Sequence, residues 1–337
     1  MWVRLVDPAV AVVPSRPRQG CVRGGPGTGP RMCPGGRAAC TLSGMGKASR
    51  RKKVANPAAR AAYRAPIPFV DRPYEGLPAE GELVAMREII PAATLGARTT
   101  AEHGGVEFDL VTLLPDGNPA MVRPDGRILV ALQTRFHSGD LSHDAGGALL
   151  AAAARADADE DGIVTFDVRD PAPRLQDLVD PASFAPMVIQ EDFGYWFDPE
   201  AEMTHEMEHA LAQNRDEIVP TAEVPGVPGM YWCAMNRNFV RYVTDIDESK
   251  LFTALARLQA AGTASVGEGS RFVGAFRACG LAIPVFELPD RQGAQEVAAG
   301  AGQLVSALEA ALEISDPLTD AERRARQGLV SRQVTIR

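Results

Sequence analysis

The hydrophobic pattern of the chain contains one kind of helix ending that occurs twice. Residues 87–93 and residues 216–222 both carry Glu-Ile-x-Pro-x-Ala, in which a proline follows the apolar residues of a helical stretch. Proline has no backbone N–H and clashes with the preceding turn, so each copy predicts the end of a helix. We predict an α+β fold of two similar modules in tandem, 73–186 and 187–315, each a small, mainly antiparallel sheet packed with helices.

The first module is predicted to contain a helix, a three-stranded meander, a second helix and a further strand. Leu83, Met86 and Ile90 recur at a spacing of three to four residues, which indicates the buried face of a helix. The dipeptides Asp116-Gly117 and Asp125-Gly126 are typical of hairpin turns. The predicted strands are 106–110, 120–123, 127–134 and 163–168, and the second helix is 143–156.

The second module is predicted to begin with a helix over 198–219. Asp198-Pro199-Glu200 combines an N-cap, a first-turn proline and an acid, which favours a helix start. Asp247 is predicted to cap a further helix, and a long apolar stripe predicts another at 293–313. The predicted strands are 230–235, 239–244, 271–276 and 281–288.

Charge divides the chain into basic ends and an acidic body. Residues 1–64 contain 13 of the 35 Lys and Arg but one of the 43 Asp and Glu, which leaves 22 basic and 42 acidic residues, a net charge of −20, in residues 65–337. A body this acidic makes nucleic acid and anionic lipid improbable partners. No apolar run reaches the roughly 18–20 residues of a membrane span, so we expect no membrane association.

The two ends are expected to differ from the body in order as well as in charge. Residues 1–72 are rich in Pro, Gly and Arg and predict a disordered leader. Met45 opens a segment that resembles a natural protein start, so residues 1–44 are a candidate for an untranslated extension. Residues 316–337 form a basic tail that starts with a short helix. Either end could lie on the acidic body or dock a protein partner, and the basic residues concerned are Lys47, Arg50, Arg51, Lys52, Lys53, Arg323 and Arg324.

One catalytic signature is present. His205, Glu206 and His209 form H-E-x-x-H, which on a helix places two imidazoles where they can bind zinc while the glutamate acts as general base. No histidine follows to supply a third ligand, so a carboxylate such as Glu217 or Glu223 would be needed. The apolar stripe formed by Met203, Met207, Ala210 and Leu211 predicts that the imidazoles lie on the opposite, exposed side of the helix.

Three further acidic or thiol patterns favour structural roles. Residues 157–162 resemble the start of a calcium-binding EF-hand loop, but Val168 stands where a bidentate glutamate is required, so an acidic turn is predicted. Asp245 and Asp247 form a possible carboxylate pair, yet Asp247 is more simply a helix cap. Cys233 and Cys279 lie in strand-like runs, a pattern typical of buried thiols in a reducing compartment.

Several segments carry a resemblance to a known family, and they are residues 45–53, 74–77, 82–85, 90–92 and 328–333. On these segments, the chain from residue 45 onward resembles a family of unknown function found in actinobacteria (DUF5926). Members of the family are labelled SecA-like or topoisomerase-like. A motor ATPase needs a phosphate-binding loop and a topoisomerase needs a basic DNA track, and this sequence supports neither label.

These observations predict a cytoplasmic, non-enzymatic interaction or regulatory protein without a cofactor. A zinc-dependent hydrolase built on His205, Glu206 and His209 is the first alternative. The second is a protein that binds a small ligand in a pocket between the two modules.

Overall fold

The structure, a computed structural model, describes residues 66–215, 218–290, 292–331 and 334–335. The leader residues 1–65, including Lys47 and the basic run 50–53, lie outside this range. Within it the fold is α+β, with two six-stranded sheets and seven α-helices. The helices are α1 (Glu80–Glu88), α2 (Leu141–Ala156), α3 (Leu175–Leu178), α4 (His205–Arg215), α5 (Glu248–Ala261), α6 (Ala294–Leu312) and α7 (Asp320–Ser331).

The first sheet has the strand order β5-β3-β4-β2-β1-β6. All neighbours are antiparallel except β2 and β4, which are parallel and pair Leu110 with Val130. Its strands are β1 (Ala93–Arg98), β2 (Glu107–Leu113), β3 (Ala120–Val122), β4 (Ile128–Gln133), β5 (Gly162–Val164) and β6 (Val188–Ile189).

The predicted meander is wrong at its first turn. Asp125-Gly126 does join the β3–β4 hairpin, with Gly126 at φ +81°. Asp116-Gly117 joins no hairpin, because β4 lies between β2 and β3. The Asn118 side chain donates to the Pro115 carbonyl (2.7 Å), and the Arg135 N–H donates to the Gly117 carbonyl (3.0 Å). These bonds stabilise a crossing connection instead of a two-residue strand reversal.

The second sheet has the strand order β12-β10-β11-β9-β8-β7, antiparallel except for β10 and β12. The β10–β11 hairpin turns at Cys279 (φ +46°) and Gly280 (φ +78°). Its strands are β7 (Thr221–Glu223), β8 (Met230–Ala234), β9 (Asn238–Tyr242), β10 (Arg271–Ala278), β11 (Leu281–Glu287) and β12 (Val334–Thr335). Both sheets have six strands, but β2 and β4 are parallel whereas β9 and β11 are antiparallel. The similarity of the two modules and their boundaries therefore stay predictions.

The largest apolar core contains residues of both sheets and of α1. Leu83, Val84, Ala85 and Met86 of α1 are all fully buried. A helix that faced one sheet alone would bury only a stripe, so the burial of four consecutive residues shows that α1 is covered on most of its circumference. The core also includes members of β8, β10 and β11, which are Tyr231, Ala278, Leu281 and Ile283.

The second core lies between the second sheet and the helices α5 and α6. The predicted stripe of the long helix is confirmed, since Val297, Ala301, Leu304 and Leu308 are buried in this core. The C-terminal helix α7 packs on α5 and adds Leu329 to the same core.

Candidate functional site

The H-E-x-x-H residues lie on the first two turns of α4. Asp198 does not start this helix as predicted; its carboxylate accepts the N–H of Glu200 (2.8 Å) in a separate turn. Thr204 takes the N-cap position instead, and its hydroxyl accepts the N–H of Met207 (3.3 Å). The hydroxyl cap satisfies a backbone donor that Asp198, seven residues before α4, is too distant to reach.

The imidazoles of α4 face solvent. His205, Glu206 and His209 are exposed, and Leu211 is the residue of α4 that is buried. Met203 lies before the helix and is 46% exposed, so it does not belong to the predicted apolar stripe. Among the described residues no three His, Cys, Asp or Glu side chains come close enough to share a metal ion. Glu217, one candidate third ligand, lies outside the described residues.

The other acidic motifs form turns and caps. Residues 157–161 connect α2 to β5, and Arg155 donates two hydrogen bonds to the Asp161 carbonyl (2.9 and 2.6 Å). Asp159 adopts φ +56°, which closes the turn. Asp247 caps α5 by accepting the N–H of Lys250 (3.0 Å). The predicted acidic turn and helix cap are therefore both confirmed.

The aromatic segment 193–197 covers one face of the first sheet. Tyr195 Oη and Trp196 Nε1 both donate to the Leu113 carbonyl at the end of β2 (2.8 Å each). The rings of Phe193 and Trp196 stack with centroids 4.6 Å apart. Burial raises the pKa of Tyr195 to about 12, so the phenol stays protonated at neutral pH. These aromatics pack on the apolar residues of the first sheet, although they lie in a 3-10 turn and not in a strand.

A small cavity lies between α2 and the end of β4, where sequence patterns gave no signal. Its volume is about 10 Å³, and Tyr74, Phe136, Leu141 and Asp144 are among the lining residues. A water molecule needs about 10–15 Å³ of such volume. The cavity therefore has room for one water molecule and none for a metabolite, and the proposed small-ligand pocket gains no support from it.

Ionisable groups with shifted pKa values surround the end of α1. Burial raises the pKa of the Glu88 carboxyl, and the neighbouring Arg87 partly offsets this. Burial, with the negative charge of Glu88, raises the pKa of the Cys279 thiol to about 12. A thiol with so high a pKa is protonated at neutral pH and is a poor nucleophile.

The basic C-terminal helix lies on the protein surface. Leu329 fixes α7 to the second core, while Arg257 of α5 pairs with Glu322 (3.4 Å) and donates to the Asp316 carbonyl (2.5 Å). Arg323 and Arg324 project from this helix and are exposed. The structure therefore places a helix that carries cationic side chains on the outside of an acidic body.

Comparison with known proteins gives one match. The model of a family described as "Family of unknown function (DUF5926)" matches residues 73–337. The chain belongs to this family. The DUF5926 match contains all of the helices and strands described above, whereas the predicted resemblance began earlier, at residue 45. No curated protein and no solved structure matches the chain.

The DUF5926 region also contains every candidate site residue that the structure describes. None of its described helices is long and apolar enough to cross a membrane. The actinobacterial origin of the family stays a prediction, and so does the statement that its members carry SecA-like or topoisomerase-like labels.

Proposed function

We propose that this protein is a non-enzymatic interaction or regulatory protein of the cytoplasm that binds protein partners through its basic ends. The main observation in support of this proposal is the arrangement of α7. This helix has one buried residue, Leu329, and presents Arg323 and Arg324 to solvent. Buried leucine and the Arg257–Glu322 pair hold the helix in place without using these two arginines. The leader residues Lys47, Arg50, Arg51, Lys52 and Lys53 belong to the same proposal.

The charge distribution supports an acidic protein partner over a nucleic acid. A polyanion that reaches the ends also meets a body with a net charge of −20, which repels a long phosphate backbone. A protein partner with a local acidic patch contacts the arginines without that cost. The free thiols of Cys233 and Cys279 agree with a reducing, cytoplasmic location.

The test compares charge reversals that have equal effect on net charge. The double variant Arg323→Glu/Arg324→Glu is compared with Arg135→Glu/Arg169→Glu, which reverses two exposed arginines outside α7. Native extract is passed over each immobilised protein, and bound proteins are quantified by mass spectrometry. We expect the α7 variant to lose partners that both the wild type and the control variant retain.

One further variant separates the two ends. Substitution of the five basic leader residues by serine tests the leader while α7 stays intact. Partners that remain bound to every variant at wild-type levels would contradict docking through the basic ends. A substrate turned over by the purified protein would contradict the non-enzymatic assignment.

A further inference from the structure

An open groove of about 480 Å³ runs along α7. Arg323, Arg326, Gln327, Val330 and Ser331 line it at helical spacing, with Leu318 at one end. The residues from 323 to 331 cover roughly 12 Å at a rise of about 1.5 Å per residue. This length matches about four residues of an extended peptide, at about 3.3 Å each.

The groove combines an apolar floor with two cations. Val330 is 48% exposed and is among the large apolar side chains that the body leaves in water. Leu318, which precedes α7, is half-buried and also lines the groove. An exposed apolar contact beside arginines is a common composition for a recognition surface.

Both guanidinium groups keep donors for a ligand. Arg326 donates one hydrogen bond to Ser249 of α5 (3.2 Å). Arg323 pairs with Asp320 and donates to the Leu318 carbonyl. A guanidinium has five N–H donors, so each arginine can also bind a carboxylate while it keeps these contacts.

We propose that this groove binds a short acidic peptide segment that carries an apolar anchor side chain. Carboxylates of the peptide pair with Arg323 and Arg326, and the anchor packs on Val330. The Gln327 amide can hydrogen-bond the peptide backbone. This inference rests on the proposed interaction function and names the chemistry of the partner at one of the two ends.

The test measures fluorescence anisotropy of a fluorescein-labelled peptide with the sequence Glu-Asp-Leu-Glu-Asp-Leu, titrated with the full chain. A second peptide has serine in place of both leucines. We expect saturable binding of the first peptide that weakens as salt screens the charges. Loss of one charge-assisted hydrogen bond corresponds to about a tenfold change in Kd, so we expect Arg323→Gln and Arg326→Gln each to raise Kd by about that factor.

Two variants act as matched controls. Arg135→Gln removes the same charge from an exposed position outside α7, and it should leave Kd within about twofold of wild type, consistent with a screened surface charge. Val330→Ser should weaken the binding of the leucine peptide and leave the binding of the serine peptide unchanged. Thermal unfolding of each variant verifies that the body is still folded.

The proposal is overturned if the leucine peptide fails to bind the wild type, or if Arg135→Gln weakens peptide binding as much as Arg326→Gln does. A concentration-dependent dimer that requires Arg323 and Arg326 would assign the groove to a second copy of this chain and would also overturn it. In any of these cases, partners lost from native extract with Arg323→Glu/Arg324→Glu would still support the proposed function, so the two failures are distinguishable.

Discussion

Two glycines of α6 show how a single residue can decide the packing of an element. A Cβ added at Gly300 would lie 2.3 Å from the Val266 carbonyl oxygen, whereas a Cβ at Gly302 would meet no atom within 4 Å. Gly300 therefore allows α6 to approach the backbone of the 263–270 connection. Gly302 has no such role and only lowers the helix propensity of α6.

The residue-scale prediction uses this pair. Gly300→Ala should destabilise the protein by about 1–3 kcal/mol, since overpacking against a backbone carbonyl forces α6 or the connection to move. Gly302→Ala should stabilise it by about 0.5–1 kcal/mol, the usual gain from replacing a helical glycine. Urea unfolding followed by circular dichroism measures both. Equal effects of the two substitutions would show that the Val266 contact does not form.

The sequence places both glycines inside a long apolar-striped helix, and the structure confirms that helix. Nothing in the local pattern distinguishes Gly300 from Gly302, because the neighbour that matters is 34 residues away in the chain. Steric contacts of this kind depend on the tertiary fold, so the hydrophobic periodicity of the sequence cannot predict them.

At the scale of elements, local signals succeeded where the required contacts are local. Asp247 caps α5, Asp125-Gly126 turns a hairpin, and the stripe of α6 is buried. The strand β1 (Ala93–Arg98) is not predicted, because its sequence has no strand-like pattern. Thr94 is its one residue of a strand-favouring type, and β1 is formed because β2 and β6 pair with it on both sides.

The helix α4 shows both outcomes in one element. The predicted exposure of His205 and His209 agrees with the structure. The predicted cap, Asp198, is wrong, because Thr204 caps the helix. Capping residues are common in loops, and only the backbone course decides which one caps. The groove along α7 is not predicted, because a helical pattern does not show which face of a helix the neighbouring elements leave uncovered.

The element-scale prediction concerns metal binding by α4. An i, i+4 pair of exposed histidines binds zinc weakly without a third protein ligand, because a zinc site needs at least three. Protein purified without a histidine tag should contain well under one zinc per chain by elemental analysis. Chelation by EDTA should leave the unfolding midpoint unchanged, as should His205→Ala.

The converse result has a definite meaning. Stoichiometric zinc that is lost in His205→Ala and in His209→Ala, but retained in the neighbouring variant Glu208→Ala, would favour the zinc-dependent hydrolase. Glu206→Gln would then separate metal binding from the general-base role, because it keeps the histidine ligands and removes the carboxylate.

At the scale of the whole molecule, the position of α1 bears on the predicted division into modules at 186/187. Its residues Leu83 to Met86 have no exposed surface and share a core with members of both sheets. The Arg72–Glu80 ion pair, with distances of 2.5 and 2.7 Å, orders the segment before α1. Arg72 also lies against Gly280 in the β10–β11 turn, where a Cβ would come within 2.7 Å of it. Removal of either sheet would expose this shared core.

We therefore expect both sheets to unfold in one transition, and the tryptophans offer a probe for each. Trp196 donates to Leu113 of the first sheet, and Trp232 of β8 donates to the Gln292 carbonyl beside the second sheet. In a Trp2→Phe background, Trp196→Phe leaves a probe on the second sheet and Trp232→Phe leaves one on the first. In each variant, the urea midpoint from fluorescence should coincide with that from circular dichroism, as two-state unfolding requires. If the fluorescence midpoint of either variant departs from its circular dichroism midpoint, the sheets are independent folding units and the buried face of α1 belongs to only one of them. Coincidence in both variants would instead mean that the two sheets are stable only together.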